Sequence, residues 1–154
     1  MTNPVIGFIR TCFMFMFRKF QFDDEVVNKK IIMNDGSIFT VFRRVIVKRN
    51  KTVEPQAYFL VRFRPRHVTP DENIKFSKKP MMIFMGFSGF CSKIWAVDYK
   101  TGLCQGLYEW EKVEDAENYS KSIAMKFMAN RSDPDTVIYK IVDKRKESIE
   151  FEII

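Results

Sequence analysis

Gly89-Phe90-Cys91-Ser92-Lys93-Ile94-Trp95 runs into a turn at residues 98–102. Gly106-Leu107-Tyr108-Glu109-Trp110 returns from that turn, and Glu114-Asp115-Ala116-Glu117-Asn118-Tyr119 opens a helix directly afterwards. Two aromatic strands joined by a Thr-Gly turn and followed at once by a helix form one compact unit. With Asp98 paired to Leu103, the register sets Trp95 opposite Gly106, Lys93 opposite Tyr108 and Cys91 opposite Trp110, all six on one face. Gly106 leaves room there for an indole ring. The other face carries Phe90, Ile94, Ala96 and Leu107 with Ser92, Gln105 and Glu109.

Upstream, residues 57–66 alternate as a strand. Phe59, Val61 and Phe63 take one face, and Tyr58, Leu60, Arg62 and Arg64 take the other. Apolar groups on both faces at its start predict a central strand covered on both sides. Thr69-Pro70-Asp71-Glu72 is a capping box with proline at the first helical position. That helix is expected to reach about Lys79, with Pro80 ending it, kinking it or beginning a second short turn. Downstream, residues 113–130 read as one helix with Ala116, Tyr119, Ile123 and Phe127 as its buried stripe. Residues 136–142 read as a strand, and 148–154 as a short edge strand.

The N-terminal third differs in composition. Six of the sixteen phenylalanines fall within residues 1–22, which carry Arg10, Arg18 and Lys19 and no acid. Helical spacing aligns Ile6, Ile9, Phe13, Phe17 and Phe20. The segment is too short and too interrupted to span a bilayer, and it lacks the form of a secretory signal. Two readings stand: a helix packed on the domain or a partner subunit, and a helix lying on an anionic membrane. Residues 37–49 read as one strand after an Asn34-Asp35-Gly36 turn. The division expected is a basic apolar helix at 1–22, an extension with one strand at 23–56, and a main domain at 57–154. The formal net charge is +7, and its basic character belongs to the first 66 residues.

Three cysteines without CxxC spacing and a single histidine, His67, provide no metal site. Reduced thiols point to a cytoplasmic protein, with the basic N-terminal helix as the element that could touch the inner membrane face. No catalytic triad or phosphate-binding loop is present.

From residue 57 the element order is strand, helix, strand, strand, helix, strand, the ferredoxin-like split βαβ arrangement of an α+β fold. Helices on one side leave the second sheet face needing a cover, so a homodimer through the sheets is expected. Residues 57–142 resemble the dimeric α+β barrel superfamily that includes antibiotic-biosynthesis-type monooxygenases, in the branch whose substrate is unknown. Gly89-Phe90, Lys93-Ile94-Trp95, Thr101-Gly102, Gly106-Leu107-Tyr108 and residues 114–119 carry the likeness. The resemblance implies a cavity between sheet and helices. In it a small, apolar, electron-rich molecule of phenol or quinol type would react with oxygen without a cofactor.

On that reading Lys93, Tyr108 and Arg62 are the catalytic candidates, with Lys93 or Arg62 holding an enolate or phenolate oxygen. Trp95, Trp110, Tyr119 and Gly106 would line the substrate site. Each has a plainer reading: the aromatics as core, Lys93 reaching past Tyr108 to water. Haem-degrading relatives place a histidine on the second helix, and residues 116–130 contain none, which argues against haem chemistry. The functional alternative is a non-catalytic ligand-binding or scaffold protein held at a membrane by residues 4–22. Nucleic-acid binding is not expected, because the glycine/aromatic signature of a ferredoxin-like RNA-binding domain is missing.

Overall fold

The computed structural model describes residues 3–17, 19–48 and 54–154. Its elements are α1 (Pro4–Met16), β1 (Phe20–Phe22), β2 (Lys30–Met33), β3 (Ile38–Val47), β4 (Ala57–Phe63), α2 (Pro70–Phe76) and α3 (Lys78–Phe84). They continue with β5 (Phe90–Val97), β6 (Cys104–Trp110), α4 (Val113–Ser120), α5 (Ile123–Asn130), β7 (Ile138–Asp143) and β8 (Phe151–Ile153). The strands form an eight-stranded sheet in the order β7-β4-β6-β5-β3-β2-β8, with β1 beside β3. The four strands from β4 onward are the ferredoxin-like unit, and β1, β2, β3 and β8 extend the same sheet.

The aromatic hairpin forms as its sequence requires. Asp98 N–H donates to Leu103 O at 2.8 Å, and Thr101 and Lys100 both donate to the Asp98 carboxylate. Trp95 faces Gly106 and Lys93 faces Tyr108. The register then slips between Phe90 and Ser92, so Phe90, not Cys91, pairs with Trp110. One extra residue on a bulged strand moves the preceding side chain to the other face. Phe90 thereby joins the helix-side core, its ring 5.6 Å from those of Phe84 and Trp110.

Each sheet face has its own core. The first packs Phe59, Val61, Trp95, Tyr108 and Trp110 against Met81, Phe84 and Met85 from the α3 segment and Ala116, Tyr119 and Met125 from α4 and α5. The second packs Ile31, Met33, Phe39, Val41, Ile94, Ala96 and Leu107, with Tyr58, Leu60, Phe151 and Ile153 against them. Tyr58 on β4 meets Phe151 on β8 edge to face, so the sheet curls until its last strand lies over an inner one. The face expected to need a partner is closed by β2 and β8 of the same chain. A bulge between Val41 and Arg43 lets β3 serve both cores: Val41 faces the second, Val45 the first.

Several expectations change in detail. The apolar N-terminal segment is not one helix to residue 22. α1 stops at Met16, and Phe20–Phe22 pair with Val45–Val47. β2 was absent from the sequence reading. It pairs with both β3 and β8. Thr69 and Glu72 form the reciprocal cap of α2, but the helix breaks at Ser77, and Pro80 sits in the first turn of α3, where a missing N–H costs nothing. The second helix is two. Ser122 takes an extended conformation and its hydroxyl accepts from Met125 N–H at 3.2 Å, starting α5 on a new axis. That restart buries Met125 and turns Ile123 (63% exposed) and Phe127 (46% exposed) outward, against the expected stripe.

Candidate functional site: an aromatic cavity around a buried lysine

A cavity of about 80 Å³ lies between the sheet and α2, α3 and α5. That is space for several water-sized molecules and about half of the roughly 150 Å³ that takes up a benzene ring, so a bound ring would also have to move side chains of the lining. Strands β5 and β6 supply its floor: Lys93, Trp95, Gly106 and Tyr108. Tyr119 from α4 and Phe84 from α3 supply its walls. Phe76, Phe127 and Arg131 stand at its outer end, where the two phenylalanine rings stack 6.1 Å apart and the Arg131 guanidinium lies 3.8 Å from the Phe76 ring. Among the described residues no Asp or Glu lines it.

Lys93 is the central polar group. Cross-strand pairing with Tyr108 points both side chains to the helix face, and the bundle above them blocks the path to water. Lys93 Nζ donates to Tyr108 Oη at 2.5 Å, and Tyr108 Oη shares a proton with Tyr119 Oη at 2.8 Å. The amine also lies 4.1 Å, 4.4 Å and 4.6 Å from the ring centres of Tyr108, Trp95 and Phe84. No carboxylate pairs with it among the described residues. Burial, with the nearby Arg43 charge, pushes its pKa well below the usual lysine range. Three ring faces return about 0.5–2 kcal/mol each to an ammonium. Burying an unpaired ammonium costs several kcal/mol, and Arg43 adds repulsion. The amine is therefore neutral by default and holds a proton only when an anion arrives beside it. Burial likewise raises the Tyr108 and Tyr119 phenols, Tyr108 further through its neighbour Tyr119, so both stay protonated donors.

Arg43 completes the electrostatics. The β3 bulge turns it toward the helices, where it donates to Ser77 Oγ at 2.8 Å and Ile74 O at 3.2 Å and lies 5.1 Å from the Trp95 ring centre. With Lys93 neutral, the buried Arg43 charge beside it, with no acid lining the cavity among the described residues, gives the cavity a positive potential. Cys104 lies beside them, its thiol pushed up to about 12 by burial and donated to by Asn73 Nδ2 at 3.4 Å. It is a protonated, unreactive thiol at neutral pH.

The structure gathers Lys93, Tyr108, Tyr119, Trp95 and Gly106 at the cavity. The space beside Gly106 serves a different neighbour from the one expected. A Cβ there would meet Val61 Cγ1 at 3.0 Å and Tyr108 Cε2 at 3.1 Å, so glycine makes room for the Tyr108 ring and not for an indole. Trp110 lies behind the cavity, fully buried and stacked on Tyr108 with ring centres 6.3 Å apart, its Nε1 unpartnered among the described residues. Arg62 is not at the cavity. It projects from the opposite face of β4, where it donates to Gln105 Oε1 at 2.9 Å, Asp35 Oδ2 at 2.8 Å and Ser37 Oγ at 3.1 Å. It ties the β2–β3 turn to the sheet. Sequence reading missed Arg43. Its signal was the Arg43-Arg44 pair inside an apolar strand, since adjacent strand residues face opposite ways and one arginine had to enter the core. His67 is exposed in a loop at positive φ, far from a ligand role.

The architecture is a ferredoxin-like fold that several solved structures share. An uncharacterised ferredoxin-fold protein related to antibiotic-biosynthesis monooxygenases, from Listeria monocytogenes, superposes with a TM-score of 0.54 at 10% identity, over 69% of this chain and 63% of its own. A heme-degrading enzyme from the same species gives 0.53 at 11% identity, over 70% of this chain and 71% of its own. A monooxygenase-like protein from Listeria innocua gives 0.55 at 10% identity, over 75% and 68%. This chain thus spans somewhat less than two thirds of the first of these. The likeness at such identities is one of fold. No protein-family profile and no curated protein matches the sequence.

Proposed function

We propose that this protein binds a small phenol or quinol in the aromatic cavity and promotes its oxidation by molecular oxygen, without a cofactor. The observation that carries the reading is a buried, neutral Lys93 amine beside the charged Arg43, with no acid lining the cavity among the described residues. Such a site favours an anion, and the aromatic rings among its walls, Phe76, Phe84, Trp95, Tyr108, Tyr119 and Phe127, favour an aromatic one.

The neutral Lys93 amine accepts the proton of a phenol or quinol more acidic than Tyr108, whose own hydroxyl stays protonated beside it. The resulting phenolate is held by the new ammonium and the Tyr108 hydroxyl, in the positive field of Arg43. A phenolate gives electrons to oxygen far more readily than a phenol does. For a phenol with a free para position, one oxygen atom bonds to that carbon and replaces its hydrogen. The other leaves as water with that hydrogen and the hydroxyl proton. The phenol loses four electrons and oxygen gains four, so phenol plus O₂ becomes quinone plus water and no reductant is consumed. Tyr108 and Lys93 return the proton that the departing hydroxide needs. Haem does not suit this cavity: α4 and α5 carry no histidine, and His67 is exposed elsewhere.

Oxygen uptake and product analysis over a panel of phenols and quinols test the reading. Expected is one O₂ consumed per quinone formed, in the presence of a chelator, falling about 10²–10⁴-fold in Lys93→Met. A panel that binds without oxygen uptake would make the cavity a carrier or sensor site. A panel that does not bind would remove the reading.

A further inference from the structure

α1 is built backwards for a helix that stabilises a domain. Its buried residues are the small ones, Gly7 and Thr11. A Cβ at Gly7 would stand 2.6 Å from Ile83 O, and one at Gly86 would stand 1.9 Å from Gly7 O, so the α1 backbone lies almost against the α3 segment. The opposite face is Val5, Ile9, Cys12 and Met16, at i, i+4, i+7 and i+11, flanked by Phe13 and Phe17. Val5 is 65% exposed, Phe13 54% and Met16 70%. Of the stripe expected from helical spacing, Ile6, Ile9, Phe13 and Phe17 point away from the protein, while Phe20 is buried in β1. A contiguous apolar patch of this kind marks an interaction surface.

Charge identifies the occupant. Residues 1–22 contain no acid. Arg10 sits at the flank of the patch, anchored on Ser88 Oγ at 3.0 Å. Just past the C-terminal end of α1, Lys19 and Lys48 are exposed side by side, Lys48 N–H donating to Lys19 O at 2.7 Å. The nearest acids in sequence begin at Asp23, roughly 13 Å further along β1, and Asp23 is paired with Arg44. A second copy seated on the patch by a two-fold contact would add its own Arg10 and lysines to the same basic surface, with no acid in its residues 1–22 to neutralise them. An anionic lipid surface neutralises all three and takes the phenylalanines into its acyl boundary. α1 has 13 residues, and among the described residues no helix is long and apolar enough to cross a membrane. Insertion is therefore limited to lying flat.

We infer that α1 is a rigidly mounted membrane-surface anchor that docks this protein on an anionic bilayer through Ile9, Phe13, Met16 and Phe17, ringed by Arg10, Lys19 and Lys48. The mounting matters, because the close contact of Gly7 with Gly86 fixes the angle at which the protein would meet the lipid. The inference is independent of the cavity chemistry.

Cys12 provides the test, since it lies on the outward face while Cys91 and Cys104 are buried. The full chain, labelled at Cys12 with an environment-sensitive fluorophore, is mixed with vesicles of phosphatidylcholine alone or with added phosphatidylglycerol. Expected are a blue shift and co-sedimentation with the anionic vesicles, weakened by salt. Ile9→Glu with Phe13→Glu should reduce binding at least about tenfold. Both sites are exposed, so the variant should keep its circular dichroism spectrum and melting curve. No binding to anionic vesicles, or binding unchanged in the double variant, would overturn the inference. So would a lipid-free dimer that the double variant dissolves, which would assign the patch to a second copy.

Discussion

Replacing Lys93 with methionine should change the pH dependence of stability more than its size. The side chains have similar volume, so the cavity wall stays filled. Sign and window follow from burial, which lowers the folded-state pKa well below the reference of 10.5. Below the folded value both states hold the proton and Lys93 contributes no slope. Between the folded value and 10.5 only the unfolded chain holds it, so stability rises with pH. The slope there approaches about 1.4 kcal/mol per pH unit for one proton. Above 10.5 neither state holds it and the slope vanishes. Lys93→Met lacks the term altogether. Urea denaturation of both proteins across pH 7–9 isolates it by subtraction. The range lies below 10.0, the reference for Tyr108 and Tyr119, and the unfolded Cys104 thiol, with reference 9.0, titrates at its upper end in both proteins and drops out of the subtraction. Expected is a wild-type stability that climbs relative to the variant with pH, by at most about 1.4 kcal/mol per unit. A flat difference would refute the reasoning, because the amine would then keep its proton inside the folded protein over this range.

Three further perturbations probe the geometry. Gly106→Ala should cost about 1–3 kcal/mol by thermal denaturation, because its Cβ would compress both Val61 and the Tyr108 ring. Gly86→Ala would place a methyl 1.9 Å from Gly7 O. α1 should lift from α3, and trypsin cleavage after Arg10 should accelerate at least about tenfold while the sheet keeps its unfolding transition. Thr69→Ala removes half of the reciprocal cap on α2 and should cost about 1 kcal/mol, read from the urea midpoint.

Local chemistry was legible wherever it was self-contained. The 98–103 turn, the Trp95–Gly106 and Lys93–Tyr108 pairs and the Thr69–Glu72 cap depend on neighbouring residues and formed as read. What failed depended on partners distant in sequence. The Cys91 bulge arises where Phe90 is drawn into contact with Phe84, which no strand pattern records. Arg62 was misplaced although alternation already set it opposite Phe59 and Val61. Val61 pairs with Gly106, so those two share the cavity face and Arg62 cannot. The α4–α5 break was written in Ser122 as a cap, but continuous helical spacing hid it. α1 was legible as a helix, and its orientation was not. A segment apolar on all sides has no preferred face until Gly7 meets Gly86.

The dimer argument also turned on a distant event. Ile31 and Phe151 lie at opposite ends of the sequence, and together they cover the sheet face that an isolated ferredoxin-like unit would expose. Analytical ultracentrifugation measures whether the chain pairs at all.

The most direct test of the central claim is the absorbance difference spectrum of a bound phenol, recorded at a pH where the free phenol is fully protonated. The account expects a phenolate band on binding to the wild type, because Lys93 takes the proton, and none on binding to Lys93→Met. A phenol that binds the wild type and stays protonated, or one that ionises equally well in the variant, would contradict it.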